Sequence, residues 1–391
     1  MNDTHENHKF LALSRLGARS CVMALLALFC TLAPGRPAAA KRAAATTEPA
    51  GLPDRDWKQH PAIVEMNAVA DLYALGDVHG DYDRLAELLA AAKLTTGVPE
   101  KPEAVKWAGG RAVLVCTGDL IDKYPHSVPV IALVRALQAD AEKAGGRVIV
   151  TLGNHEAEFL ARGQDERKAA DFEAELTAAG LSPADVGAGR DSAGIGAWLR
   201  ELPAGAKVGD WFFCHAGNTG GKTLDDLRGE LEKQITEDGF AAPILSDANS
   251  MLQARMHPRP WWDAGNDPSL KDLEKGEKSE KGKKAGEPAA AAVDEAASAK
   301  AEAASGQRLQ AVIGALGVKH LVFGHQPGKV TFADGTVREQ GQMFTKFAGL
   351  VFMIDTGMSR GVDSGRGAVL WIRQGKATAV YADGKTEVLW E

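Results

Sequence analysis

Short runs of apolar residues recur along the chain, and most of them end at a glycine. They lie at residues 72–75, 111–118, 147–153, 208–215 and 320–324. Between them the apolar positions change to helical spacing: residues 82–92 place Leu85, Leu88 and Leu89 on one face, and residues 128–142 show a similar pattern. Short buried runs that alternate with helices predict β–α–β units and a largely parallel sheet.

The C-terminal part of the chain has a different pattern. Apolar runs follow one another closely at residues 349–355, 368–373, 377–382 and 387–390. The turn dipeptide Asp383-Gly384 separates the last two, and closely spaced runs of this kind are typical of antiparallel hairpins. Together with the β–α–β units, they predict an α/β fold in which two packed sheets have helices outside.

The N-terminus predicts export from the cytoplasm. Residues 1–40 combine early basic residues, an apolar run at 21–32 and three alanines at 38–40, as in a cleaved signal peptide. We therefore expect a periplasmic or secreted protein, with an uncleaved membrane anchor as the alternative. Residues 41–68 are predicted to be a linker, and residues 69–391 a single catalytic domain.

Two segments interrupt the alternating pattern. Residues 165–203 are predicted to be largely helical and to form a cap-like addition. Residues 264–305 lack aromatic residues and carry a mixed-charge run followed by an Ala/Glu tract. Such a composition buries too little apolar surface to offset its ordering entropy, so we expect a disordered charged insertion whose Ala-rich end forms a fraying helix.

Composition excludes several classes of protein. The chain has 391 residues, a formal net charge of −7 and only 4 Cys, which argues against a polyanion-binding surface and against a disulfide scaffold. Two of the cysteines fall in the predicted leader. For Cys116 and Cys214, a structural disulfide and a pair of buried free thiols both stay open.

Polar side chains follow the predicted strands at the point where each strand ends. The candidate metal ligands are Asp77, His79, Asp119, Asn154, His215 and His325. Because the carboxyl ends of parallel strands meet at one edge of a sheet, we expect these side chains to converge. Six donors exceed the four that a structural zinc prefers, and hard oxygen with imidazole favours two ions of Mn, Fe or Zn.

This set of motifs resembles the calcineurin-like metallophosphoesterase superfamily. The resemblance implies an α/β/β/α sandwich of two mixed sheets flanked by helices, with a site for two divalent or trivalent ions. It also implies that Asp77 and His79 hold the first ion and that Asp119 bridges. The implied ligands of the second ion are Asn154, His215 and His325.

Further residues resemble the phosphoprotein-phosphatase branch of that superfamily. Pro327 stands where many members have a second His, and Asp122 and Glu156 match the branch pattern. The runs Leu-Gly-Asn-His-Glu at 152–156 and Phe-Gly-His-Gln-Pro at 323–327 are most similar to bacterial Shewanella-like protein phosphatases.

The resemblance implies that metal-activated hydroxide attacks phosphorus in line. His155 would protonate the leaving oxygen, and Asp122 would raise the pKa of His155 through a hydrogen bond. Lys123 stands where that branch has a phosphate-gripping Arg, so it keeps the charge but loses the bidentate grip. Arg255 and Arg259 are the candidates for a second phosphate-binding residue.

The function expected is therefore that of a dimetal phosphatase acting on phosphomonoesters, with phospho-Ser/Thr and phospho-Tyr in proteins both open. The alternatives are a nucleotide phosphodiester or phosphoanhydride hydrolase of the dinucleoside-tetraphosphatase type, and a non-catalytic metal-binding scaffold. The expected partner is a phosphorylated small molecule or protein. We expect no nucleic-acid polymer, and no stable membrane insertion after leader cleavage.

Overall fold

The computed structural model describes residues 55–161, 169–256, 259–263 and 295–391. The predicted signal peptide lies outside these residues. Among the helices of the described ranges, none is both long and apolar enough to cross a membrane.

Fourteen strands and nine α-helices make up the described chain. The strands are β1 (Ile63–Met66), β2 (Asp71–Leu75), β3 (Val113–Cys116), β4 (Arg147–Val150), β5 (Gly205–Val208), β6 (Trp211–Cys214), β7 (His320–Phe323), β8 (Val330–Thr331), β9 (Val337–Arg338), β10 (Phe344–Lys346), β11 (Val351–Met353), β12 (Ala368–Arg373), β13 (Lys376–Tyr381) and β14 (Thr386–Trp390). The helices are α1 (Tyr82–Ala91), α2 (Ser127–Lys143), α3 (Asn154–Ala161), α4 (Ala170–Ala178), α5 (Pro183–Gly187), α6 (Ile195–Arg200), α7 (Leu224–Asp238), α8 (Pro243–Ser246) and α9 (Glu295–Ala315).

Two six-stranded mixed sheets form the centre of the fold. One has the order β1-β5-β6-β7-β11-β10 and the other the order β14-β13-β12-β2-β3-β4. Within them, β2, β3 and β4 run parallel, and so do β6, β7 and β11. Within each sheet, the parallel strands that precede the candidate ligands therefore have their carboxyl ends at the same edge.

The alternation of side chains along each strand produces two cores. In β3, Val113 and Val115 belong to one buried cluster, while Leu114 and Cys116 belong to another. The first cluster also contains Phe213 of β6, so the sheets pack face to face through it. The second contains the buried faces of the helices, which completes an α/β/β/α sandwich, as predicted.

The C-terminal strands follow the predicted antiparallel pattern only in part. Strands β12, β13 and β14 form an antiparallel meander, and β12 joins it to β2. Strand β11, by contrast, lies parallel to β7 and antiparallel to β10. The predicted antiparallel pairing therefore holds for β11 on the side of β10. Its parallel pairing with β7 was not predicted, because a short apolar run carries no information on the direction of a partner.

Two predicted boundaries also differ from the structure. Strand β1 lies inside the predicted linker 41–68, because it pairs in parallel with β5 far along the chain. Residues 295–305, assigned to the charged insertion 264–305, belong to helix α9, which agrees with the helix expected at its Ala-rich end. Residues 264–294 of the insertion lie outside the described chain, and the described part of 165–203 contains α4, α5 and α6.

Candidate metal centre

The six predicted ligands converge in one buried cluster. Asp77 and His79 follow β2, Asp119 follows β3, and Asn154 begins α3 after β4, while His215 and His325 follow β6 and β7. None of them is more than 8% exposed. The structure thus brings these strand-terminal residues together in one buried place.

Asp119 lies at the middle of the cluster. Its Oδ2 is 3.6 Å from His79 Nε2 and 3.3 Å from His215 Nε2. Possible ligand atoms form two groups that share this carboxylate: His79, Asp119 and His155, and Asp119, His215 and His325. A carboxylate common to two donor groups has the arrangement of a bridging ligand.

The second group contains ring nitrogens in close contact. His215 Nε2 is 2.8 Å from His325 Nδ1 and 3.0 Å from Asn154 Oδ1. The other ring nitrogen of His325 is buried and has no hydrogen-bond partner among the described residues. These ring nitrogens and the amide oxygen have lone pairs that face one another, and a metal cation binds atoms of this kind. The residues therefore fit a bound cation.

Asp77 connects the two groups. Its Oδ2 is 3.7 Å from His79 Nε2, and its Oδ1 accepts a hydrogen bond of 2.9 Å from the backbone N–H of His325. The ring of His79 faces these carboxylates because its Nδ1 contacts the carbonyl of Ile121 at 3.3 Å. Oxygen and imidazole donors of this kind suit Mn, Fe or Zn.

Glu156 organises the loops that carry the ligands. This fully buried carboxylate accepts hydrogen bonds from four backbone N–H groups, those of Asp119, Leu120, Ile121 and Gly153, at 2.8–3.2 Å. The loops after β3 and β4 are thereby joined to a single side chain. The sequence pointed to Glu156 only as a match to a family pattern.

Two glycines allow these loops to approach each other. Gly118 has φ +92°, and a Cβ there would lie 2.2 Å from the backbone nitrogen of Gly153. A Cβ on Gly153 would lie 2.1 Å from Asp119 Oδ1. Both positions therefore require glycine if Asp119 is to keep its place.

Burial and neighbouring charges shift the imidazoles in opposite directions. Burial lowers the pKa of His79 to about 4 despite the nearby Asp119, and burial together with His215 holds the pKa of His325 well below its ordinary value. Burial also opposes protonation of His215, but Asp119 and Asp77 outweigh it and raise its pKa to about 10. Positive charge is thus favoured between the two carboxylates, where a cation would be held.

His155 lies beside this cluster and contacts Asp122. Its Nδ1 is 2.9 Å from Asp122 Oδ2, as the resemblance implied. Burial alone would lower the pKa of His155, but Asp119 and the hydrogen bond to Asp122 raise it. The ring lies edge-on to His79 with 5.0 Å between centroids, which places it next to the candidate ligands.

The three predicted substrate-binding cations are all exposed. The charge of Lys123 lowers the pKa of His155, and that of Arg255 lowers the pKa of His325, so each acts at one side of the cluster. Arg255 therefore lies close enough to a candidate ligand to act on it electrostatically.

Sequence reasoning missed Asp355. This carboxyl is 2% exposed, and burial raises its pKa to about 6 even though Arg338 opposes the shift. Its charge also raises the pKa of Asp77. It follows β11 just as the predicted ligands follow their strands, so the same pattern could have found it.

The fold and this cluster together define a metallohydrolase-type α/β/β/α protein. The calcineurin-like phosphoesterase family model matches residues 71–329, and the chain belongs to that family.

Curated relatives match over shorter segments. The chain is 32% identical over 85 residues to Shewanella-like protein phosphatase 2 of Arabidopsis thaliana, covering 22% of this chain and 20% of the relative. It is 27% identical over 156 residues to the symmetrical bis(5'-nucleosyl)-tetraphosphatase of Vibrio campbellii, covering 40% of this chain and 48% of the relative. The matches thus span less than half the length of these relatives.

Solved structures agree with the fold over a larger part of the chain. A cold-active protein tyrosine phosphatase superposes with a TM-score of 0.56 at 20% identity, covering 88% of this chain and 86% of that structure. The enzyme of that name from a psychrophilic Shewanella species gives 0.52 at 22% identity, with 84% and 83% covered.

Proposed function

We propose that this protein is a metal-dependent phosphatase that hydrolyses phosphomonoesters. The observation that carries the proposal is the pair of buried donor groups that share Asp119, with the His155–Asp122 pair beside them. In the proposed assignment, Asp77 and His79 hold one ion and Asn154, His215 and His325 the other. When bound, two such ions activate water and neutralise the phosphoryl oxygens.

The remaining steps belong to side chains of the protein. Because Asp122 engages Nδ1 of His155, Nε2 is the nitrogen that gives its proton to the leaving oxygen as the phosphorus–oxygen bond breaks. The exposed cations Lys123 and Arg255 attract the phosphate to the two sides of the cluster. Neither makes the bidentate grip that an arginine fork at position 123 would supply.

Two features of the proposal rest on the sequence alone. The predicted leader 1–40 supports a periplasmic or secreted location. The ligand types support Mn, Fe or Zn, since the six candidate ligands offer oxygen and imidazole donors and no thiolate.

A second candidate is a hydrolase of dinucleoside polyphosphates. The similarity to the Vibrio campbellii tetraphosphatase favours it, because that match covers a longer segment than the match to the Arabidopsis phosphatase. Phosphomonoesters, with phospho-Ser/Thr and phospho-Tyr in proteins both open, remain our leading substrate class because of the Shewanella-like motifs.

Substrate competition separates these proposals. The purified protein is stripped with a chelator and reloaded with Mn, Fe or Zn, and its metal content is measured by mass spectrometry. Turnover of 4-nitrophenyl phosphate, a phosphopeptide, bis(4-nitrophenyl) phosphate and diadenosine tetraphosphate is then compared, with Asp119→Asn as the blank. Preference for either of the last two would refute the monoesterase proposal, and two bound ions without any turnover would favour a scaffold.

A further inference from the structure

Helix α4, in the predicted cap-like segment, contacts the residue that orients His155. The backbone N–H of Asp171, in the first turn of α4, donates to Asp122 Oδ1 at 3.2 Å. The other oxygen of the same carboxylate contacts His155 at 2.9 Å. Asp122 is 2% exposed, so this carboxylate is held between a cap-like helix and the histidine.

A carboxylate of α4 also caps the start of α2. Glu175 accepts hydrogen bonds from the backbone N–H groups of Ser127 and Val128, at 2.7 and 2.8 Å. The residue that precedes α2, His126, makes no capping hydrogen bond with its side chain. The free N–H groups at this helix end are therefore satisfied from a different helix.

Ser127 links this cap to Asp122 by a second route. Its hydroxyl oxygen accepts a hydrogen bond of 3.1 Å from the backbone N–H of Asp122, while its own N–H donates to Glu175. Asp122 has φ +70°, a conformation that a side-chain residue adopts only when its surroundings fix it. The contacts from α4 are part of those surroundings.

Packing sets α4 against the helix that carries His155. Phe172 and Leu176 of α4 are fully buried, and the ring of Phe172 lies 4.9 Å from that of Phe159 in α3. Helix α4 thus touches α2 through Glu175, α3 through Phe172 and Asp122 through a backbone N–H.

We propose that Glu175 is a positioning residue of the reaction: by docking α4 on the start of α2, it fixes the Asp122 carboxylate in the orientation that presents His155 to the leaving group. The inference rests on the proposed phosphatase function. The inference gives the cap-like segment a part in proton transfer, because its helix α4 helps to orient Asp122 and, through Asp122, the proposed acid His155.

The test compares substrates that differ in their need for an acid. 4-Nitrophenyl phosphate releases a stable phenolate and needs little protonation, whereas ethyl phosphate releases a strongly basic alkoxide. Glu175→Gln removes one of two acceptors for the α2 N–H groups. We expect kcat for ethyl phosphate to fall about 10-fold further than kcat for 4-nitrophenyl phosphate, with KM and metal content unchanged.

Matched variants identify the route. Glu142→Gln changes an exposed carboxylate on α2 and is expected to leave both rates unchanged. In an Asp122→Asn background, Glu175→Gln should add less than about 2-fold, because both changes act through one carboxylate. Asp171→Pro deletes the N–H donated to Asp122, at a first-turn position that tolerates proline, and should reproduce the selective loss. Asp171→Ala removes the side chain but keeps the N–H, and it is the control for the lost carboxylate.

Equal losses on both substrates, or full additivity with Asp122→Asn, would overturn the role of Glu175. If Glu175→Gln does not fold, the Asp171→Pro result decides in the same way. An inactive wild-type protein would refute the proposed function and this inference with it. An active wild type with non-selective variants would refute this inference alone.

Discussion

Glu156→Gln tests the idea that one buried carboxylate holds the ligand loops. Each carboxylate oxygen of Glu156 accepts two backbone N–H groups: Oε2 those of Asp119 and Gly153, and Oε1 those of Leu120 and Ile121. A glutamine offers one oxygen and one amide group. Whichever way it is oriented, two buried N–H donors face another donor.

The structure sets the size of the expected effect. A buried donor left without an acceptor costs about 1–3 kcal/mol, so two of them cost about 2–6 kcal/mol. Burial and the charge of Asp119 raise the pKa of Glu156, which shows that the negative charge itself is unfavourable here. Its removal offsets part of the loss, so we expect about 2–4 kcal/mol.

Urea unfolding of the chelator-treated protein at pH 7, followed by tryptophan fluorescence, measures this difference without a contribution from bound metal. The control is Glu142→Gln, an exposed residue for which about 0.5 kcal/mol or less is expected. A loss below about 1 kcal/mol for Glu156→Gln would show that water or a shifted loop replaces these hydrogen bonds, and the reasoning would be wrong.

Three further predictions concern other parts of the structure. Gly324→Ala places a Cβ 2.4 Å from Asp77 Oδ1, so metal titration should show weaker binding while circular dichroism shows an intact fold. Burial raises the pKa of both Cys116 and Cys214 to about 12, so at pH 8 neither thiol should react with a thiol reagent until urea unfolds the protein. The Arg360 guanidinium lowers the pKa of Asp81 despite burial, so Asp81→Asn should destabilise the protein at pH 7. Paired urea curves should show this difference in the free energy of unfolding shrink as the pH falls below the ordinary range of an aspartate.

The sequence predicted the site better than it predicted the fold boundaries. Each ligand lies next to its own strand, and parallel neighbours bring such positions together without further information. Asp355 was missed because only antiparallel pairing was assigned to its strand, whereas β11 also pairs in parallel with β7. Strand β1 was missed because its partner β5 begins at residue 205, and no local sequence pattern predicts a pairing between residues so far apart in the chain.

Contacts between helices were also beyond sequence reasoning. Glu175 binds the start of α2 across a separation of 48 residues, and nothing in the apolar spacing of α4 marks a glutamate as a cap for another helix. Helical spacing of apolar residues indicates which face of a helix is buried, and Phe172 and Leu176, four residues apart in α4, follow it. This spacing does not predict which groups a polar side chain beside the buried face, such as that of Glu175, will contact.

Backbone hydrogen bonds join the loops that carry the ligand side chains. The carbonyl of Asp119 accepts from the N–H groups of Val78 and His79 at 3.0 and 2.8 Å, and that of His215 accepts from Gly324 at 2.8 Å. These bonds join the loops after β2, β3, β6 and β7 irrespective of what the side chains hold. These backbone hydrogen bonds therefore oppose the repulsion among the buried carboxylates and imidazoles. The candidate ligand atoms stay directed at one region, where a bound cation would reduce that repulsion.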